Sequence, residues 1–106
     1  MNVEISVRHH EQINEELKDF VLKKIGKLDR YLKGIETVHV IFNGEKASRL
    51  CEIVLFGKHV RLTATETTTD SRASFDQALD NIQNQLRKHH EKITYHAHRK
   101  IELGEE

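Results

Sequence analysis

One stretch limits the choice of fold more than any other: residues 70–92, DSRASFDQALDNIQNQLRKHHEK. Its apolar residues Phe75, Ala78, Leu79, Ile82, Leu86 and Ile93 recur at helical spacing. At ~100° per residue they fall on one stripe that has to be buried against another layer. Asp70 stands where an N-cap is expected and Asp76 near the positive dipole end, so part of the polarity is ordinary helix design. Asn81, Gln85, Lys88 and Lys92 follow one another along one polar flank, while Arg87 points across the other and His89 and His90 edge the stripe. The last turns are cationic around most of their exposed surface.

The rest of the chain supplies a sheet for this helix and a second helix beside it. Residues 2–8 alternate, with Val3, Ile5 and Val7 on one face, the pattern of a half-buried strand. Residues 12–32 carry Ile13, Leu17, Phe20, Val21, Leu28 and Tyr31 at helical spacing, with acids early and lysines late, and Gly34 as a stop. Three strand-like runs follow at residues 37–42, 50–56 and 59–66, with Asn43-Gly44 expected to open the first turn and Gly57-Lys58 the second. After Ile93 the periodicity fades, and residues 94–106 read as a frayed, charged tail to a domain of residues 1–93.

The order βαβββα predicts an α+β fold, a four-stranded antiparallel-rich sheet with both helices packed on one face and the other face partly wet. With 106 residues, 37% of them hydrophobic, the chain suits one modest core rather than two. No apolar run is long enough for a membrane span and the start lacks a secretory signal, so a cytoplasmic protein is expected. The single cysteine, Cys51, reads as a small buried hydrophobe.

The formal charge is zero, but the charges are segregated. Lys18, Lys23, Lys24, Lys27, Arg30 and Lys33 are opposed only by Asp19 and Asp29. Arg87, Lys88, Lys92, Arg99 and Lys100 are opposed only by Glu91. If the two cationic helix ends meet, Lys23, Lys27 and Arg30 would join Arg87, Lys88 and Lys92 in one patch suited to phosphates. A charged face is more often only a solvated one. Lys24 sits beside the apolar stripe and would have to snorkel.

Other chemistry finds less support. His89, His90, His96 and His98 invite a metal, yet no cysteine pair or glutamate accompanies them at ligand spacing. A metal- or protein-binding regulatory module using this histidine-rich end is the alternative reading. Asp70, Asp76 and Asp80 are explained by capping and solvation, and no Gly-rich phosphate loop, HExxH or GxSxG pattern occurs. The expectation is a protein that is not an enzyme, without cofactor, metal or small-molecule substrate.

The helix sequences FVLKKIGKLDRYL and DSRASFD, the latter followed by NIQNQLRKHHEK, resemble the short ribosome hibernation-promoting factor and ribosome-associated inhibitor family, also called protein Y. The likeness covers residues 2 to about 93. It implies a fold similar to a double-stranded-RNA-binding domain with an added first strand. It also implies binding to the small ribosomal subunit between head and body, overlapping the mRNA and tRNA sites, which keeps ribosomes inactive in stationary phase or stress. Off the ribosome such a protein is expected to be monomeric.

Carried over by position, Lys24 and Lys27 match basic sites of the family's first helix, and Lys88 and Lys92 those of its second. Lys23, Arg30 and Arg87 add charge nearby. His90 and Asn81 stand where relatives often have lysine, so a contact by His90 should weaken as pH rises past the imidazole pKa. Ser71-Arg72 replaces a frequent methionine and tyrosine. Short members differ in whether they promote ribosome dimers, and the intermediate, acidic-ended tail here leans towards the dimer-promoting type; the long form's second domain is not expected.

Overall fold

The computed structural model describes residues 1–9, 12–30 and 34–103, with side chains described except those of residues 29, 30 and 90–103. In chain order the elements are β1 (Asn2–Arg8), α1 (Glu15–Gly26) continued by a 3-10 turn (Lys27–Arg30), β2 (Ile35–Glu45), β3 (Ser48–Gly57), β4 (Val60–Thr68) and α2 (Ser71–Leu103). The strands lie side by side in sequence order, β1 parallel to β2 and the other pairs antiparallel. This is the α+β arrangement that the alternation and helical periodicity predict.

Pleat and register select the buried face. Val38, Val40 and Phe42 of β2 are matched by Leu55, Ile53 and Cys51 of β3, and Ile53 in turn by Ala64 of β4. Onto them pack Val21, Ile25 and Leu28 from the first helical segment and Phe75, Ala78, Leu79, Ile82 and Leu86 from α2. Both helices therefore share one face of the sheet. Full burial of each large apolar side chain is worth about 1.5–3 kcal/mol. The opposite face is open, with Glu4, His39, Glu52, Arg61 and Thr63 beside the buried Ile41 and Val54.

Several boundaries differ from the sequence expectation, each for a local reason. Helix α1 begins later than residue 12 because Asn14 caps it, its side chain accepting from Leu17 N–H at 2.8 Å. Its α-helical part stops at Gly26, and the 3-10 turn keeps Leu28 fully buried. The expected end at residues 31 and 32 lies outside the described residues.

Asn43-Gly44 does not turn. Both residues pair within the β2–β3 ladder, and the hairpin reverses at Lys46-Ala47, with Lys46 at φ 53°. The next turn is Lys58-His59, where His59 takes the left-handed conformation at φ 64°. Gly57 pairs with Val60 and is needed for space: a Cβ there would lie 2.9 Å from Val60 Cγ1 and 3.1 Å from the Gly34 carbonyl. Beyond Ile93 the chain stays helical to Leu103 instead of fraying. Ala97, Arg99, Lys100 and Glu102 are good helix formers, and no glycine or proline intervenes before Gly104.

Candidate nucleic-acid interface

The direction of the helices decides where their charges lie. Along α2, Ser74, Asn81 and Gln85 meet Thr68, Glu66 and Thr63 in turn, so α2 runs opposite to β4. Helix α1 joins β1 to its parallel neighbour β2 and must also run opposite to both. The two helices thus point the same way. Their starts meet in an open groove lined by Asn14, Glu16 and Leu17 on one side and Thr69, Asp70, Ser71 and Arg72 on the other. Their basic later halves lie towards the opposite end of the sheet.

The start of α2 is fastened by backbone and hydroxyl groups. Asp70 Oδ2 accepts from Ala73 N–H at 3.0 Å, the cap expected from sequence. Ser74, fully buried, accepts from Thr68 N–H at 3.0 Å and donates to the Arg49 carbonyl, tying the helix to both β3 and β4. Phe75 packs edge-on to Phe20 at 5.9 Å and tilted to Phe42 at 6.4 Å, so three rings run from α1 through α2 to β2.

The two flanks of α2 then diverge. On the β4 side Asn81 donates to Glu66 Oε2 at 3.2 Å, and Gln85 donates to the Thr63 carbonyl and to Asn81 Oδ1, both at 2.9 Å. Lys88 belongs to this flank, at the end of a polar groove shared with Glu66, Asp80, Asn84 and Gln85. On the α1 side Arg72 Cζ lies 4.0 Å from the Phe20 ring centroid, and Lys24 Nζ lies 5.4 Å from the same centroid. Phe20 and Lys24 are one helical turn apart, which places Lys24 beside the seam between the helices.

Of the residues singled out from sequence, Lys23, Lys27, Arg87 and Lys88 are exposed, and Lys24 is half-buried against Phe20. Arg87 donates to Asn84 Oδ1 at 2.9 Å on the outer surface of α2. Lys24 lies at the seam, whereas Lys88 is directed towards β4, away from α1. The side chains of Arg30, His90 and Lys92 lie outside the described residues.

Arg72 was absent from the sequence-based set. Its contact joins residues from separate helices, and no spacing within either one reveals it. The Phe20–Lys24 pair, by contrast, is an i,i+4 neighbour that one helix suffices to predict. Among the described residues no group of three or more His, Cys, Asp or Glu could hold a metal ion. His96 and His98 lie outside that set.

Residues 3–94 match the family described as sigma 54 modulation protein / S30EA ribosomal protein. The chain belongs to this family. Among its relatives, a ribosome hibernation promoting factor of Azotobacter vinelandii is 34% identical over 92 residues, covering 87% of this chain and 85% of that one. One from Salmonella typhimurium is 30% identical over 88 residues, covering 83% and 93%. The N-terminal domain of Thermus thermophilus protein Y superposes with a TM-score of 0.75 at 25% identity, covering 83% and 98%.

A ribosomal subunit interface protein from Coxiella burnetii shares the fold, with a TM-score of 0.77 at 18% identity over 84% of this chain and 97% of that one. Family membership agrees with the likeness carried by the two helix sequences. Nothing in these relatives supports the metal-binding alternative. No described helix is long and apolar enough to cross a membrane.

Proposed function

We propose that this chain is a ribosome hibernation factor that docks on the small ribosomal subunit at the mRNA and tRNA channel and inhibits translation by occupancy. Relatives named ribosome hibernation promoting factor support the class of function. The docking mode is supported by the shared direction of α1 and α2, which turns the basic later parts of both helices the same way, with Lys24 on the α1 side of α2 and Lys88 on its β4 side. Such a surface reads phosphate backbone and shape more than base identity.

The protein needs no chemical step for this. Its folded body, once held by phosphates, excludes the competing RNAs from the channel. Stationary phase or stress is the setting in which inactive ribosomes accumulate, and the cytoplasm is where they are met. Holding ribosomes as inactive dimers is the form we favour, with the C-terminal segment from Thr94 taking part.

Co-sedimentation with salt-washed small subunits at low salt tests the reading. The wild-type chain should pellet with the subunits, and charge reversal at Lys27, Lys88 and Lys92 should release it. Unchanged retention of the triple variant would sink the docking mode. Appearance of cut ribosomal RNA would replace occupancy by hydrolysis. Sucrose-gradient profiles with and without the protein separate dimers from inactive single ribosomes.

A further inference from the structure

The ring of Phe20 carries two cations. The guanidinium carbon of Arg72 lies 4.0 Å from its centroid and the ammonium nitrogen of Lys24 lies 5.4 Å away. Each contact is attractive by itself, yet bringing two like charges to one ring offsets part of that gain. The ordinary remedy is a carboxylate between them. Here the ion pairs among the described residues are Lys18 with Glu15 and His39 with Glu4, and neither reaches this ring. Asp76, one turn after Arg72, and Glu16, one turn before Phe20, are exposed and form no ion pair with either cation.

We propose that Arg72 and Lys24, seated on Phe20, form a two-pronged grip for a single phosphate of the RNA backbone at the seam between α1 and α2. The inference rests on the RNA-binding reading above and adds a residue and a place to it. Three features favour a phosphate as the missing partner. Arg72 is exposed, and its guanidinium, set against the ring, keeps its edge donors free for the bidentate geometry that phosphate accepts. Phe20 is itself anchored through Phe75 to Phe42 in the core, so the platform is rigid and little side-chain freedom remains to be lost on binding. Lys27, exposed three residues after Lys24, supplies a further positive position for the neighbouring nucleotide.

Binding of the full chain to purified small subunits, measured by filter retention across a series of potassium chloride concentrations, tests the grip. Arg72→Gln and Lys24→Gln should each weaken binding roughly tenfold and lower the salt slope by about one. Arg72→Lys keeps the charge but loses the planar fork, so affinity should fall with the slope unchanged. Phe20→Leu should do the same; far-UV circular dichroism and a thermal melt of each variant confirm that the fold is intact.

If Arg72→Gln and Lys24→Gln bind like wild type with the same slope while Lys27→Glu or Lys88→Glu loses binding, the grip is overturned and the RNA-binding reading stands. If the wild-type chain is not retained at low salt, the RNA-binding reading falls and takes the grip with it.

Discussion

The two flanks of α2 are both polar, but they are built for different work. Towards β4, Asn81 and Gln85 spend their amides on Glu66, on the Thr63 carbonyl and on each other. Towards α1, Arg72 and Lys24 meet across an aromatic ring instead, and their charged ends stay available to solvent. A satisfied amide inside the protein has little left to offer a partner, whereas a cation resting on a ring keeps its hydrogen-bond donors. The contrast also accounts for Asn81, whose amide holds helix to strand.

The strongest way to break the comparison is to remove what both flanks depend on. Phe75→Ala should cost about 3–5 kcal/mol and lower the melting midpoint by more than ~10 °C, because the ring links Phe20 to Phe42 at zero exposure. A loss below ~1 kcal/mol by chemical denaturation would show that the flanks hold without it. Ser74→Ala comes next, at about 1–3 kcal/mol, since it strips partners from Thr68 N–H and the Arg49 carbonyl at a buried point.

Asn81→Ala should cost about 1 kcal/mol in the same assay and leave ribosome binding unchanged. Cys51 sharpens that test, because it pairs in register with Glu66, the partner of Asn81. Burial, with Glu52 adding to it, pushes the thiol up to about 12 from its ordinary 9.0. Labelling by a thiol reagent at neutral pH therefore needs local opening, and Asn81→Ala should label faster than Lys24→Gln. Equal rates would mean that the two flanks are equally fastened.

The same thiol fixes the sign of an alkaline effect. Between pH 9.0 and about 12 the unfolded chain has released this proton and the native one has not. Stability contributed by the protonated thiol is complete below that window and is lost as pH rises through it. The difference between wild type and Cys51→Ala in denaturant titrations should narrow accordingly. The smallest effect on stability belongs to the other flank: Lys24→Gln should stay within about 0.5 kcal/mol of wild type, its consequence being confined to binding.

What the sequence revealed followed from periodicity. The alternation of residues 2–8 located β1 to the residue, and the stripe of Phe75, Ala78, Leu79, Ile82 and Leu86 is buried as its spacing required. Turn chemistry was less readable. Asn43-Gly44 has the composition of a hairpin, but the ladder runs on through Asn43↔Leu50 and Gly44↔Arg49, so strand pairing overrode local preference. The charged segment after Ile93 lacks a clear apolar period in its sequence, yet its residues favour a helix, which runs to Leu103.

The candidate site was legible only in part, and for a comparable reason. Lys24 and Lys27 follow from a single helix, whereas the division between Lys88 and the seam depends on which neighbour each flank of α2 faces. Arg72 acquires its place only when two helices are brought together.

Because α1 and α2 run in the same direction, acids such as Glu15, Glu16, Asp70 and Asp76 collect near their starts and lysines near their later turns. With 17 Lys and Arg against 17 Asp and Glu, a distant polyanion exerts almost no net pull on the molecule. It does exert a torque. In the docking proposed above, the protein would be turned to present its later helical turns before it is drawn in, and attraction would grow only once those turns came within about 8 Å of the phosphates at physiological salt. Pose would then be selected ahead of capture, and electrical neutrality would keep such a chain from adhering indiscriminately to every nucleic acid it passes.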